Sequence, residues 1–184
     1  MKSETSPDAE LLARMRAGDP EALGLLYDRY AARLFGFFVR LTCRRDASED
    51  LVQETFLRIL KYHASFRGDR GFVVWMYRIA RNVFADHYAS RRSGDVPLVD
   101  EHEAPGATPL ERIERDEAVA LLGRALGELP ADRREVIVLC RYEGLSRDEV
   151  AALLGCSVGA LKVRLHRALA ELRDAYCTHM GGQR

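Results

Sequence analysis

Three side chains in the first half of the chain, Trp75, Arg78 and Asn82, follow one another at helical spacing. Spacings of three and four residues place them on one face of a helix. An indole ring can stack on an unpaired base, a guanidinium can hold a phosphate, and an amide can hydrogen-bond a base edge. This face therefore suits single-stranded nucleic acid. The alternative is that Trp75 only completes the core of a small helical bundle.

The loop before this face joins an aromatic ring to a cation. Phe66 and Arg67 begin the sequence Phe-Arg-Gly-Asp-Arg-Gly at 66–71. The ring and the cation could form a pocket for a base that has left the stack, a step that sacrifices stacking energy. The alternative is that Phe66 packs into the core.

A second group of residues, near the C-terminus, begins with a capping box. Ser-Arg-Asp-Glu at 146–149 has a serine and a glutamate that can cap each other's amides, and Gly155 ends the short helix. Ser157 can cap a second helix, so the pair matches a helix-turn-helix, whose second helix enters the major groove of DNA. That helix carries Lys162, Arg164, His166 and Arg167. The helix before this pair could add contacts to the DNA backbone through Arg133, Arg134 and Arg141. The alternative is a helical hairpin with a solvated basic face.

Capping residues and apolar periodicity predict the helices that position these side chains. Asp19 followed by Pro20 predicts a helix that runs to about Thr42. A second helix is capped by Asp46 or Ser48, and a third follows the loop that ends at residue 71. Four more helices are predicted at roughly 110–127, 131–143, 146–154 and 157–176. No segment alternates convincingly with period two, so the predicted fold class is all-α.

The same periodicity sorts the side chains of the second and third helices. In the second helix Leu60 is expected to face inward and Leu57 outward. The inward residues of the third helix are expected to be Phe72, Val73, Met76, Ile79, Ala80, Val83 and His87.

Residues 93–109 predict a flexible acidic linker. They contain three of the six prolines and two glycines, with no helical period. The linker divides the chain into small helical domains at 1–92 and 110–184. Residues 61–92 hold seven Lys or Arg against two Asp, whereas residues 93–117 hold eight acids against two Arg. The neutral total therefore hides a basic block, which suits a phosphate-binding surface, beside an acidic one.

The overall composition excludes several classes of protein. Charged residues make up 30% of the 184, with 28 Lys or Arg and 28 Asp or Glu, which excludes a fibrous protein. The longest charge-free run, 150–161, has twelve residues, too few to cross a bilayer, so we expect no membrane insertion. The first ten residues lack the apolar stretch of a secretory signal, and we expect a cytoplasmic protein.

Four motifs, in order, resemble the extracytoplasmic-function group of bacterial RNA polymerase sigma factors. They are Asp-Leu-Val-Gln-Glu at 50–54, Phe-Arg-Gly-Asp at 66–69, Trp-Met-Tyr-Arg-Ile-Ala-Arg-Asn at 75–82, and the helix-turn-helix at 145–167. The resemblance implies an alternative sigma factor, a subunit that binds core RNA polymerase and directs promoter-specific initiation. It covers nearly the whole chain outside the linker and the two tails.

The resemblance assigns a role to each group of residues. Binding to the clamp coiled coil of the largest polymerase subunit falls to Asp50, Gln53 and Glu54. Recognition and melting of the minus-ten element falls to Phe66, Arg67, Trp75, Arg78 and Asn82. Recognition of the minus-thirty-five element falls to Lys162, Arg164, His166 and Arg167. The linker would thread toward the polymerase active centre, and the expected partners are core polymerase, promoter DNA and an anti-sigma factor.

The chain departs from the family pattern in two places. Gly-Phe-Val-Val at 71–74 replaces a more polar run, and Ala160 and Val163 stand where Thr and Ser are more usual. Both changes remove hydroxyl groups that could touch DNA, so they bear on the promoter sequence that is recognised.

Two other classes of protein compete with this interpretation. A helix-turn-helix regulator with a helical effector domain would explain 110–176 but leaves the motifs at 50–54 and 75–82 without a role. A metal-dependent sensor would use Cys177 and His179, with Cys156, which is fewer ligands than a four-ligand site needs. We expect no cofactor, no bound metal and no enzymatic activity, because neither a nucleophile–base pair nor a phosphate loop is found.

Overall fold

The computed structural model describes residues 7–67, 71–90 and 109–181. These ranges contain α-helices, a 3-10 turn and no strand, which confirms the all-α prediction for them. The helices are α1 (Pro7–Arg16), α2 (Glu21–Thr42), α3 (Arg45–Tyr62), α4 (Gly71–Ser90), α5 (Pro109–Glu128), α6 (Ala131–Arg141), α7 (Arg147–Leu153) and α8 (Val158–Gly181). The 3-10 turn His63–Ser65 follows α3.

The described residues group into two compact units. The first unit takes those within 1–38 and 48–94, and the second takes those within 39–47 and 95–184. The predicted linker at 93–109 lies outside the described residues except for Pro109, where α5 begins. The predicted domain boundaries at 92 and 110 therefore stay predictions.

Helix α1 has no counterpart in the sequence prediction. It contacts the 3-10 turn and α4, and it buries Leu11, Leu12 and Met15. Asp8, which is only 8% exposed, accepts a hydrogen bond from the Tyr30 hydroxyl at 2.5 Å and another from the guanidinium of Arg29. Burial, reinforced by the hydrogen bond to Asp8, raises the pKa of Tyr30 to about 12, so the phenol keeps its proton. This buried contact fixes α1 to α2.

Helix α2 lies where the sequence predicts it. The Asp19 carboxylate accepts a hydrogen bond from the Glu21 amide at 2.9 Å, and the helix ends at Thr42. Cys43 then adopts a positive φ of 54°, which turns the chain between α2 and α3.

Helix α3 begins earlier than predicted. Its first residue is Arg45, so the predicted cap at Asp46 or Ser48 is wrong, and Ser48 is fully buried. Leu57 is 61% exposed, as predicted, whereas Leu60 is 46% exposed and the prediction that it faces inward is wrong.

The buried side chains of helix α4 extend beyond the inward-facing stripe that the sequence predicts. Its buried side chains include Tyr77, Val74 and Phe84, which lie outside the predicted inward set. The Tyr77 ring lies 5.2 Å from the ring of Phe37 on α2, while α1 contacts α4 as well. The buried face of α4 is therefore wider than the predicted stripe. Trp75, Arg78 and Asn82 still lie at its margin or outside it.

In the second unit α5, α6 and α7 all contact α8. The buried positions of α8 are Leu161, Ala168 and Leu172. Arg134 on α6 is also buried, and its guanidinium donates to the carbonyl oxygens of Gly127 at 2.6 Å and Leu129 at 3.0 Å. The expectation that Arg134 could reach the DNA backbone is therefore wrong, because this side chain closes the C-terminal end of α5 instead.

Candidate nucleic-acid interface

Three aromatic rings meet where the 66–67 loop approaches α4. The ring of Phe66 lies 5.4 Å from that of Trp75 and 6.5 Å from that of Phe72, in edge-to-face arrangements. Phe66 is only 8% exposed, whereas Trp75 is half-buried. Phe66 thus supports Trp75 from the core side, and Trp75 is the member of this aromatic cluster that offers surface to a base.

The polar residues predicted around this cluster lie outside it. Arg67, Arg78 and Asn82 are all exposed. Within the described ranges neither Arg67 nor Arg78 forms an ion pair, so both cations can meet a phosphate. The structure therefore brings Trp75, Arg78 and Asn82 together on one accessible side of α4, with Arg67 in the loop before that helix.

The outward face of α3 carries the three residues predicted to bind a protein partner. Asp50 and Gln53 are exposed, and neither has a partner among the described residues. Glu54 is half-buried and accepts a hydrogen bond from Arg58 at 2.7 Å, while Arg58 also contacts Asp86 on α4 at 2.7 Å. The hydrogen bond with Glu54 and, to a smaller extent, the one with Asp86 raise the pKa of the Arg58 guanidinium.

Sequence reasoning assigned no role to Leu57, which the structure places at the centre of this face. At 100° per residue it falls between Gln53 and Glu54, one turn further along α3. Leu57, which is 61% exposed, adds an apolar side chain to a face that otherwise carries Asp50, Gln53 and Glu54. The signal in the sequence was Leu57 itself, an apolar residue outside the buried stripe.

The helix-turn-helix forms with the predicted local contacts. The Ser146 amide donates to the Glu149 carboxylate at 2.7 Å, and the Glu149 amide donates to the Ser146 hydroxyl at 3.3 Å, so the capping box is confirmed. Gly155 adopts a positive φ of 63° in the turn. The Ser157 hydroxyl then accepts from the Ala160 amide at 3.1 Å and caps α8.

Helix α8 presents three of its four predicted DNA-binding side chains to solvent. Lys162, His166 and Arg167 are exposed. Arg164 is half-buried, because it lies on the inward stripe that includes Leu161 and Ala168. Val163, which is 51% exposed, shares the outward face with Arg167. The face that can enter a groove is therefore part cationic and part apolar.

A small pocket of about 60 Å³ lies where α6, α7 and α8 meet. Its polar lining comes from Arg141, Arg147, Lys162 and Cys140. None of the three cations forms an ion pair with a described residue, so the pocket concentrates positive charge beside the recognition helix. Arg133, by contrast, is paired with Glu171 at 3.4 Å.

Comparisons with known proteins agree with this arrangement. A model of sigma-70 region 2 matches residues 26–94, and a model of sigma-70 region 4 matches residues 120–172. The RNA polymerase sigma-H factor of Pseudomonas aeruginosa is 33% identical over 172 residues, which cover 88% of this chain and 89% of that protein. The chain belongs to the extracytoplasmic-function group of bacterial sigma factors. It is an alternative sigma factor, which binds core RNA polymerase and directs promoter-specific initiation of transcription.

Two further relatives support the assignment. The ECF RNA polymerase sigma-E factor of Escherichia coli is 33% identical over 177 residues, which cover 90% of this chain and 92% of that protein. The solved structure of the sigma factor RpoE in complex with the anti-sigma factor NepR from Bartonella quintana is 28% identical. It has a TM-score of 0.67 and covers 83% of this chain and 94% of that one. The α3 and α4 faces of this sigma factor lie within its region 2 match, and α7 lies within its region 4 match.

Cys177 and His179 of the sigma factor lie near the end of α8. Cys177 is exposed, and the Nε2 atom of His179 lies 2.8 Å from a carboxylate oxygen of Glu128 on α5. In the part of the chain that the structure describes, no group of three or more His, Cys, Asp or Glu side chains is placed to hold a metal ion. None of the described helices combines the length and the apolar character that a membrane span requires.

Proposed function

We propose that this sigma factor uses α4 to hold unpaired bases, α8 to read duplex DNA and α3 to bind core polymerase. The observation that carries the proposal is the sorting of outward residues. An aromatic ring, cations and an amide meet on α4, whereas cations and Val163 share the outward side of α8. The first set suits single strands and the second suits a major groove.

The α4 face would melt the minus-ten element by capture. Once the DNA duplex opens, an unpaired base can stack on Trp75 and Asn82 can hydrogen-bond a base edge. Arg67 and Arg78 can hold the phosphates of the strand. Binding to the open state shifts the equilibrium toward it, and this requires no covalent chemistry. The chain is accordingly proposed to act without enzymatic activity and without a cofactor.

The α8 face would read the minus-thirty-five element. Lys162, His166 and Arg167 are exposed on α8. A cationic side chain that enters the major groove can donate hydrogen bonds to the acceptor atoms of guanine. Val163 and Ala160, which lack the more usual hydroxyls, can contact the methyl group of thymine instead. Arg164 would contact the DNA backbone, since it is half-buried and less able to reach the base edges.

The pocket beside α8 would hold one backbone phosphate. Arg141, Arg147 and Lys162 line it, and phosphate contacts set the orientation of a recognition helix on the duplex. We expect Arg147→Ala to weaken duplex binding similarly on all sequences and to reduce the salt slope by about one unit. Holoenzyme binding across a salt titration measures this, and an unchanged slope would exclude a phosphate contact.

The wider arrangement follows the family. We propose domains at 1–92 and 110–184 joined by a linker at 93–109 that runs toward the polymerase active centre. Because core polymerase works on the chromosome, the proposal places the protein in the cytoplasm. The solved relative bound to the anti-sigma factor NepR supports a further partner, an anti-sigma factor. We propose that this partner covers the outward face of α3.

Run-off transcription with bacterial core polymerase on a promoter library tests the function. The expected result is that the chain confers a defined start-site preference on core enzyme and identifies its promoter. A helix-turn-helix regulator would instead bind an operator tightly by itself and leave start-site choice unchanged.

Arg167→Ala should lower transcription that depends on the minus-thirty-five element roughly tenfold to a hundredfold, since a good base contact contributes ~1–3 kcal/mol. Specificity at one position should relax. Arg173→Ala is the matched control, because Arg173 is an exposed arginine further along α8. Unchanged promoter occupancy in Arg167→Ala would refute the assignment of the recognition face.

A further inference from the structure

The backbone that carries Phe66 is held by Arg16, the last residue of α1. A terminal nitrogen of the Arg16 guanidinium lies 3.3 Å from the carbonyl oxygen of His63 and also donates to the carbonyl oxygen of Phe66. These acceptors lie 47 and 50 residues away along the chain. Helix α1, which contains none of the predicted DNA-binding residues, thus holds the segment at 63–67 that precedes α4.

The two acceptors are the carbonyl groups of His63, the first residue of the 3-10 turn that follows α3, and of Phe66, the residue after that turn. The last carbonyl groups of a helix lack intrahelical donors and carry partial negative charge, so a cation is favourable there. The His63 carbonyl also accepts from the Phe66 amide at 3.2 Å. Arg16 therefore closes this end with charge-assisted hydrogen bonds, which are stronger than neutral ones.

Helix α1 is itself firmly anchored. Its apolar side is buried, and Asp8 is held by the Tyr30 hydroxyl and the Arg29 guanidinium. The Tyr30 ring lies 5.2 Å from the ring of Phe72, which belongs to the same aromatic cluster as Trp75. Arg16 thus projects from a support that packs against the cluster it helps to order.

We infer that Arg16 is a positioning residue for the capture of unpaired bases. Phe66 is fixed at its carbonyl by Arg16 and at its ring by Trp75 and Phe72. This double restraint sets the direction of the next residue, the exposed Arg67, and keeps the support beneath Trp75 in place. Loss of Arg16 loosens the loop and lowers the affinity for the single strand. The inference rests on the proposed function of α4.

The experiment compares Arg16→Ala with Arg14→Ala. Arg14 also lies in the last turn of α1, but its guanidinium binds Asp19 at 2.7 Å rather than the loop, so the control removes the same charge. Two readouts use the free full-length chain: amide exchange over residues 63–67, and acrylamide quenching of Trp75, the only tryptophan. A third uses holoenzyme and the non-template single strand of the promoter recovered by run-off transcription.

In Arg16→Ala the Phe66 amide hydrogen should exchange faster, and acrylamide should quench the fluorescence of Trp75 more readily. Its holoenzyme should bind the single strand roughly three- to tenfold more weakly, with core affinity unchanged. Arg14→Ala should match the parent protein in all three readouts, and Arg16→Lys should recover part of each loss because it keeps a charged donor. If Arg16→Ala is too unstable to measure, Arg16→Lys carries the comparison, with intermediate values expected.

Two results would overturn the inference. Exchange and quenching equal to those of Arg14→Ala would mean that Arg16 does not hold the loop. Weaker strand binding with an unchanged loop would mean that Arg16 touches DNA directly. Failure of the parent holoenzyme to bind the strand or select a start site would instead refute the proposed function, and the exchange data would still decide whether Arg16 holds the loop.

Discussion

Replacing Asp50 and Gln53 together by alanine should lower the affinity for core polymerase about a hundredfold while the fold remains intact. Both side chains are exposed on α3 and have no hydrogen-bond or ion-pair partner among the described residues, so their removal breaks no such interaction there. Two interface contacts of about 1.4 kcal/mol each correspond to this factor. Titration of fluorescently labelled sigma factor with core enzyme measures the affinity, and a thermal melt checks the fold.

Asp28→Ala on α2 is the control, since it removes an exposed carboxylate from the same unit. Leu57→Ala should also weaken core binding, because its exposed side chain lies at the centre of the face. Glu54→Ala should have a smaller effect, since Glu54 is already paired with Arg58 and enters the interface partly satisfied. Full core affinity in the Asp50/Gln53 double variant would move the polymerase contact elsewhere.

Trp75→Ala should reduce open-complex formation roughly tenfold to a hundredfold, because stacking of one base contributes ~1–3 kcal/mol. Core binding should not change, since Trp75 lies on α4 rather than on the outward face of α3. Replacing a fully buried aromatic residue by alanine lowers the free energy of unfolding by ~3–5 kcal/mol. The decrease for Trp75→Ala should be only part of this, because Trp75 is half-buried. Permanganate footprinting of unpaired thymines reports the open complex.

Trp75→Phe is the matched variant, because it keeps a stacking ring and most of the packing against Phe66 and Phe72. It should recover much of the open-complex signal. If Trp75→Ala melts at a far lower temperature yet opens promoters normally when folded, Trp75 is a core residue and the base contact lies elsewhere.

Local signals made much of this fold predictable. The limits of α2 follow from Asp19 and the apolar stripe, and the helix-turn-helix follows from the capping box, Gly155 and Ser157. These features depend on residues a few positions apart, so their chemistry is visible in the sequence.

Features that depend on distant packing were missed. Helix α1 is ten residues long and gains its stability from burial and from Asp8, which no local pattern announces. The prediction that Arg164 binds DNA stays a prediction, but its spacing did not reveal that the phase of α8 leaves it half-buried beside Leu161 and Ala168. The contact between Arg16 and the Phe66 carbonyl joins segments 50 residues apart and could not be inferred from spacing.

Cys43, Cys140 and Cys177 differ in ways that bear on chemical labelling. Burial raises the pKa of the Cys43 and Cys140 thiols, so both hold little of the thiolate that attacks an electrophile near neutral pH. Cys177 is exposed and lies ten residues beyond Arg167, about 15 Å further along α8. A maleimide dye therefore has a native attachment point at Cys177, at a fixed separation from the groove-reading side chains and without an introduced residue.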